Sequence, residues 1–476
     1  MSKSKTKALS QVTSKIDVGH VGTMVSKYDE FGILLLQTRN IDEFFVNTEE
    51  CQRITENFHR QLKKSQIKKD DVLIARSGSF GKASIYLEPE IINSADVIIV
   101  ESNKDVVNPF YLVGFLNSKL GTSQLFRFAS GGVQGHVNLT ILESLLIPIL
   151  NSNFQEFLES IIRFSYKTLR KSKELYQQAE DLLLSELGLK DWQPTDENIA
   201  VKSFSASFGT SDRLDAEYYQ PKYDQLYNLL RSTSLQKGWE LKRLESLSSV
   251  FKYGVSDALE YIESGVPFLR IADLQKYRFS ESDLKFISHD AAKNYPATVQ
   301  TGDVLISRSG TLGLAVVIPE YLNNAIYGSY FILTRPDQYL INPKYLAFYL
   351  NSLAGKLQTE QANTGGIQTN LTIPVLESLL IMCPPLDIQQ RLVDKVNQSY
   401  EAQDQSKQLL EIAKTGVEKA IEENEELAIN WINQQLKNLG IKNSPPFLRG
   451  AGGINHAKRS KFSSISPPQN NHISRI

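Results

Sequence analysis

Two short glycine-rich strings carry residue types that could bind an anion. "RSGSFG" spans residues 76–81 and "RSGTLG" spans 308–313, and each follows an apolar run, "DVLIA" or "DVLIS". The backbone N–H groups of such strings can cradle a phosphate at the start of a helix, but neither string opens a helical pattern. A tight connection between strands, in which glycine supplies a positive φ, is the structural alternative. A third interpretation uses Arg76 and Arg308, because a guanidinium at a loop tip suits a phosphate or a guanine edge.

Motifs for catalysis are weak in this sequence. "SPPF" at 444–447 has the form of an amino-methyltransferase tetrapeptide, yet it follows no strand pattern and no glycine-rich cofactor loop accompanies it. The ATPase signature "GxxxxGK[ST]" is absent, and Pro336-Asp337 lacks the second acidic strand that a nuclease metal site needs. The six histidines show no metal-ligand spacing. These observations disfavour an enzyme.

The two glycine-rich strings belong to a long internal duplication. The apolar runs that precede them begin at Asp71 and Asp303, an offset of 232 residues. Repetition at a fixed offset indicates a repeated unit. "GILLLQTRNI" from Gly32 matches "GVPFLRIADL" from Gly265, and "GGVQGHVNLTILESLLIPI" at 131–149 matches "GGIQTNLTIPVLESLLIMC" at 365–383. Asn117-Ser118 and Asn351-Ser352 also correspond. The duplication predicts two similar domains.

Each repeated unit mixes strand and helix patterns. β-branched clusters such as "SADVIIVES" and "AIYGSYFILT" predict short strands. "NPFYLVGFLNSKLG" and "NPKYLAFYLNSLAG" predict one short helix each, with Asn108 or Asn342 as N-cap and proline at the first helical position. We therefore expect two mixed α/β globules of roughly 150 residues, a typical domain size.

A heptad pattern follows each globule. Steps of four and three select one apolar seam from Phe154 and another from Leu392, and each seam contains a short polar segment, 165–172 or 399–406. Seams of this length predict a coiled coil in which the two helices pair; the alternative is that each helix packs only on its own globule. The seam positions are Phe154, Leu158, Ile161, Ser165, Thr168, Ser172, Leu175, Ala179, Leu182 and Glu186, then Leu392, Val396, Ser399, Gln403, Ser406, Leu410, Ala413, Val417, Ala420, Asn424, Leu427 and Trp431.

Composition is compatible with a large intracellular protein. The 476 residues are 41% hydrophobic, and 52 lysines and arginines face 53 acidic residues, so any nucleic-acid contact must come from local patches. One such patch lies near the first glycine-rich string: Arg53, Arg60, Lys63, Lys64, Lys68, Lys69, Arg76 and Lys82. Two distant cysteines support neither a disulfide framework nor a zinc knuckle. No apolar run suits a signal core or a membrane span, and we expect a cytoplasmic location.

These patterns predict an α+β protein in which two tandem, pseudo-repeated domains are separated and followed by long helices that pair as a coiled coil. The expected boundaries are a first domain at 1–150, a first spacer helix at 151–190, a linker and second domain at 191–384, a second spacer helix at 385–438 and a basic disordered tail at 439–476.

The combination resembles one known family. "DVLI(A/S)RSG", the "GG(V/I)Q…NLT…LESL" string, "RLDAEYYQPKYDQL" at 213–226 and "PPLDIQQRLVDKV" at 384–396 are similar to the specificity subunits of Type I restriction-modification systems. The resemblance covers residues from about 15 to 438. It implies two target-recognition domains that each read half of a bipartite DNA sequence. It also implies that the two long helices pair as an antiparallel coiled coil, a spacer that sets the gap.

The resemblance also implies that the chain is a non-catalytic subunit without a cofactor of its own. The expected partners are double-stranded DNA, two modification (methyltransferase) subunits and a restriction/translocase subunit. S-adenosylmethionine, ATP and Mg²⁺ would then bind to those partner subunits, and no membrane is involved. The alternative is a scaffold whose two globules bind proteins without DNA recognition.

The candidate residues fall on the echoed strings. The DNA-binding candidates are Arg76, Ser77, Lys82, Gln134, His136, Arg270, Arg308, Ser309, Gln368, Thr369 and Asn370, and the turn glycines are Gly78, Gly81, Gly131, Gly132, Gly310, Gly313, Gly365 and Gly366. The sequence departs from the family pattern in three places. The first domain lacks a counterpart of "RLDAEYY", which suggests a shortened N-terminus. The first helix begins with "IPILNSNFQEFLESI" instead of a "PPLDIQQ" string, and the basic tail is an addition.

Overall fold

A computed structural model describes residues 5–49, 51–76, 81–128, 139–275, 277–280, 284–295, 298–362 and 370–441. The predicted tail beyond residue 441, with its "SPPF" string, lies outside this part of the chain. The chain divides into two compact units. The first comprises residues 1–169 and 404–476, and the second comprises residues 170–403. Both long helices therefore contribute to both units.

The first unit contains eleven described strands and the start of a long helix. Its strands are β1 Thr6–Ala8, β2 Thr13–Val18, β3 Tyr28–Gln37, β4 Phe44–Phe45, β5 Gln52–Ile54, β6 Gln66–Ile67, β7 Val72–Ala75, β8 Ala83–Ile85, β9 Ile92–Ala95, β10 Val97–Ser102 and β11 Leu146–Pro148. Its helices are α1 Leu9–Val12, α2 Glu56–Gln61, α3 Pro109–Asn117, α4 Lys119–Phe128, α5 Leu139–Glu143 and α6 Ser152–Glu186, the last of which continues into the second unit.

The second unit repeats much of this order. Its strands are β12 Glu240–Arg243, β13 Ser248–Tyr253, β14 Val266–Leu269, β15 Leu274–Gln275, β16 Arg278–Phe279, β17 Lys285–Ile287, β18 Val304–Ser307, β19 Ala315–Val317, β20 Ile326–Tyr327, β21 Phe331–Pro336 and β22 Leu380–Cys383. The helices from α7 onward are α7 Phe208–Ser211, α8 Pro221–Lys237, α9 His289–Ala292, α10 Pro343–Asn351, α11 Leu353–Ala362, α12 Ile373–Ser378, α13 Leu386–Glu422 and α14 Glu425–Asn438.

The echoed apolar runs form a central strand in each unit. The first unit has the order β2-β10-β7-β8-β4, and the second has β13-β21-β18-β19. β7 and β18 are buried along their whole length and pair antiparallel with both neighbours. A second sheet has the order β5-β3-β9-β6 in one unit and β17-β14-β20 in the other. The matching topology confirms the predicted duplication.

A buried asparagine joins α3 of the first unit, or α10 of the second, to the strand after the glycine-rich turn. Asn117 accepts a hydrogen bond from the backbone N–H of Ala83 (3.0 Å) and donates one to the carbonyl oxygen of the same residue (2.8 Å). Asn351 makes both bonds with Ala315, at 2.9 and 2.7 Å. An amide side chain supplies both the donor and the acceptor that this backbone residue needs. The echoed Asn-Ser pairs are therefore structural.

The predicted N-caps are confirmed, but each predicted helix is two helices. The Asn108 side chain accepts from the Phe110 N–H and that of Asn342 from the Lys344 N–H, both with proline at the first position. The chain turns directly after Asn117 and Asn351 into α4 and α11. This corner needs glycine, because a Cβ on Gly121 would lie 2.1 Å from the carbonyl oxygen of Phe115.

Within each unit the two long helices pack through small residues. In the first unit, Ser165 and Ser406 donate reciprocally to each other's carbonyl oxygens at 2.9 and 3.0 Å. Leu158 of α6 and Val417 of α13 lie together against Gly114, so residues earlier in α6 meet residues later in α13 and the chain directions are opposed. In the second unit the hydroxyl of Ser399 donates to the Ser172 carbonyl oxygen at 2.8 Å. The antiparallel coiled-coil interpretation is confirmed, with its polar segments as serine contacts.

The second long helix differs from an unbroken helix to residue 438. α13 ends at Glu422, and Asn424 is not a seam position: its side chain caps α14 by accepting a hydrogen bond from the Leu427 N–H at 3.0 Å. Asparagine is a strong N-cap, and this local bond competes with continuation of the helix.

The new helix completes the core of the first unit. Ala428, Ile432 and Leu436 of α14 are buried in the same cluster as Phe154 and Leu158 of α6. In the second unit, α8 supplies the corresponding cover through Tyr223, Leu226 and Leu230. The core of the first unit is therefore covered by a helix from the C-terminal part of the chain, and that of the second unit by α8.

We expect Asn117→Asp to destabilise the first unit and Asn351→Asp the second, each by about 3 kcal/mol, because each change buries a carboxylate beside a carbonyl oxygen. Hydrogen exchange of peptides covering β8 and β19 would report each unit separately. Asn228→Asp on the exposed face of α8 is the matched control. Equal protection of β8 in Asn117→Asp and in the control would contradict the structural role of the asparagine.

Candidate nucleic-acid interface

The glycine-rich string of the second unit is a tight connection between β18 and β19. Gly310 and Gly313 adopt φ of 72° and 75°, where a side chain would be strained. The Gly313 N–H bonds back to the Ser307 carbonyl oxygen at 2.9 Å, and the Leu314 N–H bonds to the Ser307 hydroxyl at 2.9 Å. Because the turn joins two strands and opens no helix, its geometry fits the strand-connection interpretation better than a phosphate cradle.

Arg308 sits at the start of this turn with its backbone fixed and its guanidinium on an aromatic face. Its N–H bonds to the Tyr330 carbonyl oxygen at 2.8 Å, and its carbonyl oxygen accepts from the Leu371 N–H at 2.9 Å. The guanidinium carbon lies 4.6 Å from the ring centroid of Tyr253. No carboxylate pairs with Arg308 among the described residues, and its buried Nε has no hydrogen-bond partner there. Its outer N–H groups are thus available for a ligand.

Tyr253 is held in place from its other end. Its hydroxyl accepts a hydrogen bond from the Ile373 N–H at 3.1 Å, at the first residue of α12. The ring is 39% exposed, and the neighbouring Tyr330 is 58% exposed. An arginine stacked on a fixed ring keeps its planar edge oriented, which suits bidentate recognition.

The corresponding arginine of the first unit is held differently. The Nη1 of Arg76 lies 2.8 Å from the Oδ1 of Asp96, a residue with a positive φ of 55°. Its Nε is also buried without a hydrogen-bond partner in the described part of the chain. The ion pair competes with an external anion for the Arg76 guanidinium, so the two copies of this arginine are not equivalent.

Two other predicted contacts are engaged in ion pairs. The Nη2 of Arg270 lies 2.5 Å from the Oδ1 of Asp273, whose side chain is fully buried. Asp273 also accepts from the Arg270 N–H at 2.7 Å. The Nζ of Lys82 lies 2.9 Å from the Oδ1 of Asp42. These interactions give both residues a structural role in this conformation.

The remaining candidates are only partly described. Ser309 is half-buried beside Arg308, and Asn370 is exposed and precedes Leu371, which bonds to Arg308. Gly81 adopts a φ of 86° and would place a Cβ 3.3 Å from the Phe126 ring. The candidates outside the described residues are Ser77, Gly78, Gly131, Gly132, Gln134, His136, Gly365, Gly366, Gln368 and Thr369.

Sequence reasoning missed Tyr253 and Asp96, the residues that hold the two arginines. By strand register, Tyr253 of β13 corresponds to Val18 of β2, because they pair with Ile332 and Ile98. A search for what the two copies share passes over such a position. A search for differences between the two copies could have found Tyr253, because it is a polar aromatic residue that only one copy has at this position.

The echoed aspartates at the other end of the central strand also differ. Asp303 is 2% exposed and binds Arg335 through two bonds, at 2.7 and 2.8 Å. At the position of Arg335 the first unit has Glu101, as the pairing of the preceding residues shows. Burial raises the pKa of Asp71 to about 6, and the neighbouring Glu101 adds to the rise. Asp303 is thus neutralised by Arg335 in the second unit, whereas Asp71 in the first unit is buried beside another carboxylate, Glu101.

Two other features are absent from the described residues, a metal site and a membrane-spanning helix. No group of three or more His, Cys, Asp or Glu side chains is placed to hold a metal ion there. Within the same residues, none of the helices has the length and apolar character that crossing a membrane requires.

Comparison with known proteins identifies the family. The model of the Type I restriction modification DNA specificity domain matches residues 31–177 and 236–414, one segment for each copy of the turn. The chain belongs to this family. Members are the DNA specificity components of restriction-modification systems and are not themselves catalysts, which favours this function over a protein-binding scaffold.

Individual relatives are distant. The specificity subunit of the Type I restriction enzyme EcoBI from Escherichia coli is 20% identical over 411 residues, which cover 83% of this chain and 82% of the relative. A restriction-modification S subunit from M. genitalium is 12% identical, covers 91% of this chain and 95% of its own, and gives a TM-score of 0.41. The HsdS subunit from Thermoanaerobacter tengcongensis is 16% identical, covers 89% and 98%, and gives 0.29.

We expect Asp71→Asn to stabilise the first unit by about 2 kcal/mol at pH 7, because the folded state no longer holds a carboxylate with a raised pKa. In the unaltered protein, the stabilising effect of protonated Asp71 is complete below its ordinary pKa of 3.8 and is lost as the pH rises through about 6. Thermal unfolding from pH 4 to 8 would show this loss in the parent chain and not in the variant.

Asp303→Asn is the matched comparison, and we expect it to destabilise the second unit by about 3 kcal/mol because it leaves Arg335 without its partner. Hydrogen exchange in β7 and β18 would assign each effect to a unit. Equal effects of the two substitutions would contradict the electrostatic difference described above.

Proposed function

We propose that this chain directs a Type I restriction-modification complex to a bipartite DNA sequence, with each domain reading one half and the paired helices setting the gap. The observation that carries this proposal is the family match on both copies of the duplicated turn. α6 and α13 have 35 and 37 residues, or about 50 to 55 Å of helix at about 1.5 Å per residue. That length exceeds one turn of B-DNA, about 34 Å, so two readers can reach successive major grooves.

The proposal assigns the chemistry to partner subunits. Two modification subunits would bring S-adenosylmethionine, and a restriction/translocase subunit would bring ATP and Mg²⁺. The chain would work in the cytoplasm, where its DNA is found. A pair of modification subunits is suited to a chain with two similar units, because each unit offers an equivalent surface.

Arg308 is the residue that we propose for base recognition in the second half-site. Its guanidinium edge is oriented by Tyr253 and has no competing carboxylate among the described residues. Bidentate arginine contacts to the O6 and N7 of guanine are the commonest specific contact in the major groove. Arg76 is the corresponding candidate in the first half-site, where Asp96 competes for it. Ser309 follows Arg308 in the sequence, and Asn370 precedes Leu371, whose N–H bonds the Arg308 carbonyl oxygen. We include both residues in the proposed surface.

The proposal is tested by the methylation that the chain directs. Co-expressed with its cognate modification subunit, it should produce adenine methylation in a gapped motif of two half-sites with a fixed gap. Sequencing of methylated bases across the host genome measures this. A methylome without a new gapped motif, from a complex that is shown to assemble, would refute DNA recognition.

Arg308→Ala should relax one base position of the second half-site, with a loss of about 1 to 3 kcal/mol of discrimination, and leave the first half-site unchanged. Arg308→Lys should have nearly the same effect, because an ammonium group lacks the planar edge. Tyr253→Leu, which removes the stacking surface, should relax the same position. If all three variants direct methylation to the unaltered motif, the turn has a purely structural role.

Seven-residue insertions between Ser165 and Ser172 and between Ser399 and Ser406 should change the gap and keep both half-sites, because each adds about 10 Å of helix. An insertion in one helix alone should impair assembly, since it breaks the serine register. A changed half-site in the double insertion would mean that the helices themselves contact bases.

A further inference from the structure

The first unit contains an open cleft of about 550 Å³ at the start of β7. Four cationic side chains and one histidine line it, against two carboxyl groups. The lining residues are Lys15, His59, Arg60, Lys63, Gln66, Lys68, Asp71, Ile99 and Glu101. Arg60, Lys63 and Lys68 belong to the basic patch that is predicted near the first glycine-rich string, but they line a cleft at the opposite end of β7 from Arg76. The cleft is therefore a separate basic surface.

The histidine in the cleft is fixed by a buried polar network. Asn93 is fully buried, and its Nδ2 lies 3.2 Å from the Nδ1 of His59. The Oδ1 of Asn93 accepts from the Ser65 hydroxyl at 2.5 Å, which orients the amide so that Nδ2 is the donor. The Nδ1 of His59 then accepts, and the neutral ring carries its proton on Nε2. Burial lowers the pKa of His59, which favours this neutral form.

Two N–H-bearing nitrogens lie close together in the cleft. The Nε2 of Gln66 donates one hydrogen bond to the His59 carbonyl oxygen at 3.3 Å and lies 3.5 Å from the Nε2 of His59, so its second N–H and the His59 N–H are both near this point. The ammonium groups of Lys63 and Lys68 are exposed and have no hydrogen-bond or ion-pair partner among the described residues. Lys15 is partly engaged, with its Nζ 3.0 Å from the Lys64 carbonyl oxygen and 3.4 Å from Asp17. Unpaired cations around convergent donors suit a phosphate oxygen.

At the equivalent positions the second unit has different charged residues. Gln300 takes the place of Lys68, since the N–H of each bonds the following aspartate at 2.7 Å. Arg335 takes the place of Glu101 and occupies the aspartate through its two bonds. The duplicated backbone therefore carries an open basic cleft in one copy and a closed ion pair in the other. If the cleft were only a solvated surface that the fold requires, both copies would be expected to have similar charges there.

We propose that the cleft binds a backbone phosphate of duplex DNA beside the first half-site, independently of sequence; this rests on the proposed function. The four residues of β7 separate the cleft from Arg76 by about 14 Å, since a strand rises about 3.4 Å per residue. That distance corresponds to about four base pairs of duplex, at one base-pair step per about 3.4 Å. A base contact at the turn and a phosphate contact in the cleft can thus be made to one DNA segment.

The test uses the assembled complex of this chain with its modification subunits and a duplex that carries the methylated motif. The double variant Lys63→Gln/Lys68→Gln should bind more weakly, with the slope of log affinity against log salt smaller by about 1 to 2, since each phosphate contact contributes about 0.9. Glu101→Gln should bind several-fold more tightly, because it removes a repelling carboxylate. Lys7→Gln, which removes one positive charge from an exposed lysine outside the cleft, is the control and should leave the slope unchanged.

The outcomes separate the possible ligands. Slopes equal to that of Lys7→Gln in the double variant would overturn the proposal, and so would a changed half-site in its methylome, because a phosphate contact carries no base information. Inorganic phosphate at constant ionic strength is the second probe. Phosphate-dependent thermal stabilisation that is lost in the double variant, with unchanged DNA slopes, would assign the cleft to a free anion and overturn a DNA contact. A parent complex that fails to retain the motif duplex would instead refute the proposed function.

Discussion

The geometry of both recognition units depends on a single side-chain amide. Asn117 and Asn351 each satisfy the N–H and the carbonyl group of one backbone residue at the start of the strand after the turn. Those strands have an unpaired edge at this point, and a buried backbone group without a partner would cost about 1 to 3 kcal/mol. The amide thereby fixes the strand to the helix, and the strand fixes the turn. The turn that follows the arginine is thereby anchored to the core at its far end.

On this shared frame the two units carry different charges. One arginine is paired with Asp96 and the other is stacked on Tyr253, and one central aspartate faces Glu101 while the other binds Arg335. Each difference lies at an end of the central strand, where side chains leave the core and substitutions disturb little packing. The strand interior is apolar in both copies because it is buried on both faces. Duplication thus preserves the positions of side chains and lets their chemistry diverge.

The features that could be predicted from the sequence are those that depend on neighbouring residues or on the internal repeat. The Asn-Pro pairs gave two helix starts, and the offset of the "DVLI" runs gave the equivalence of β7 and β18. Asn424 was assigned wrongly because an asparagine after a helical run satisfies both a heptad pattern and an N-cap, and only its bond to Leu427 distinguishes them. Tyr253 escaped notice because its importance comes from two contacts, with Arg308 and Ile373, that lie 55 and 120 residues away. Long-range contacts of this kind leave no mark in a local pattern.

The same long-range contacts give the two units different folding requirements. The second unit is built from one continuous segment, 170–403, whereas the first needs residues 404–441 to complete its core. Val417 and Ile432 are buried with Leu158, although more than 250 residues separate them along the chain. Closing such a loop costs entropy before any contact is gained, so non-local cores form slowly. During synthesis the second unit can close as soon as its own segment has emerged, while the apolar face of α6 in the first unit stays exposed until α13 and α14 are made. The serine contact between Ser165 and Ser406 forms in that last step, which makes the helix pairing of the first unit a late event that depends on the C-terminal part of the chain.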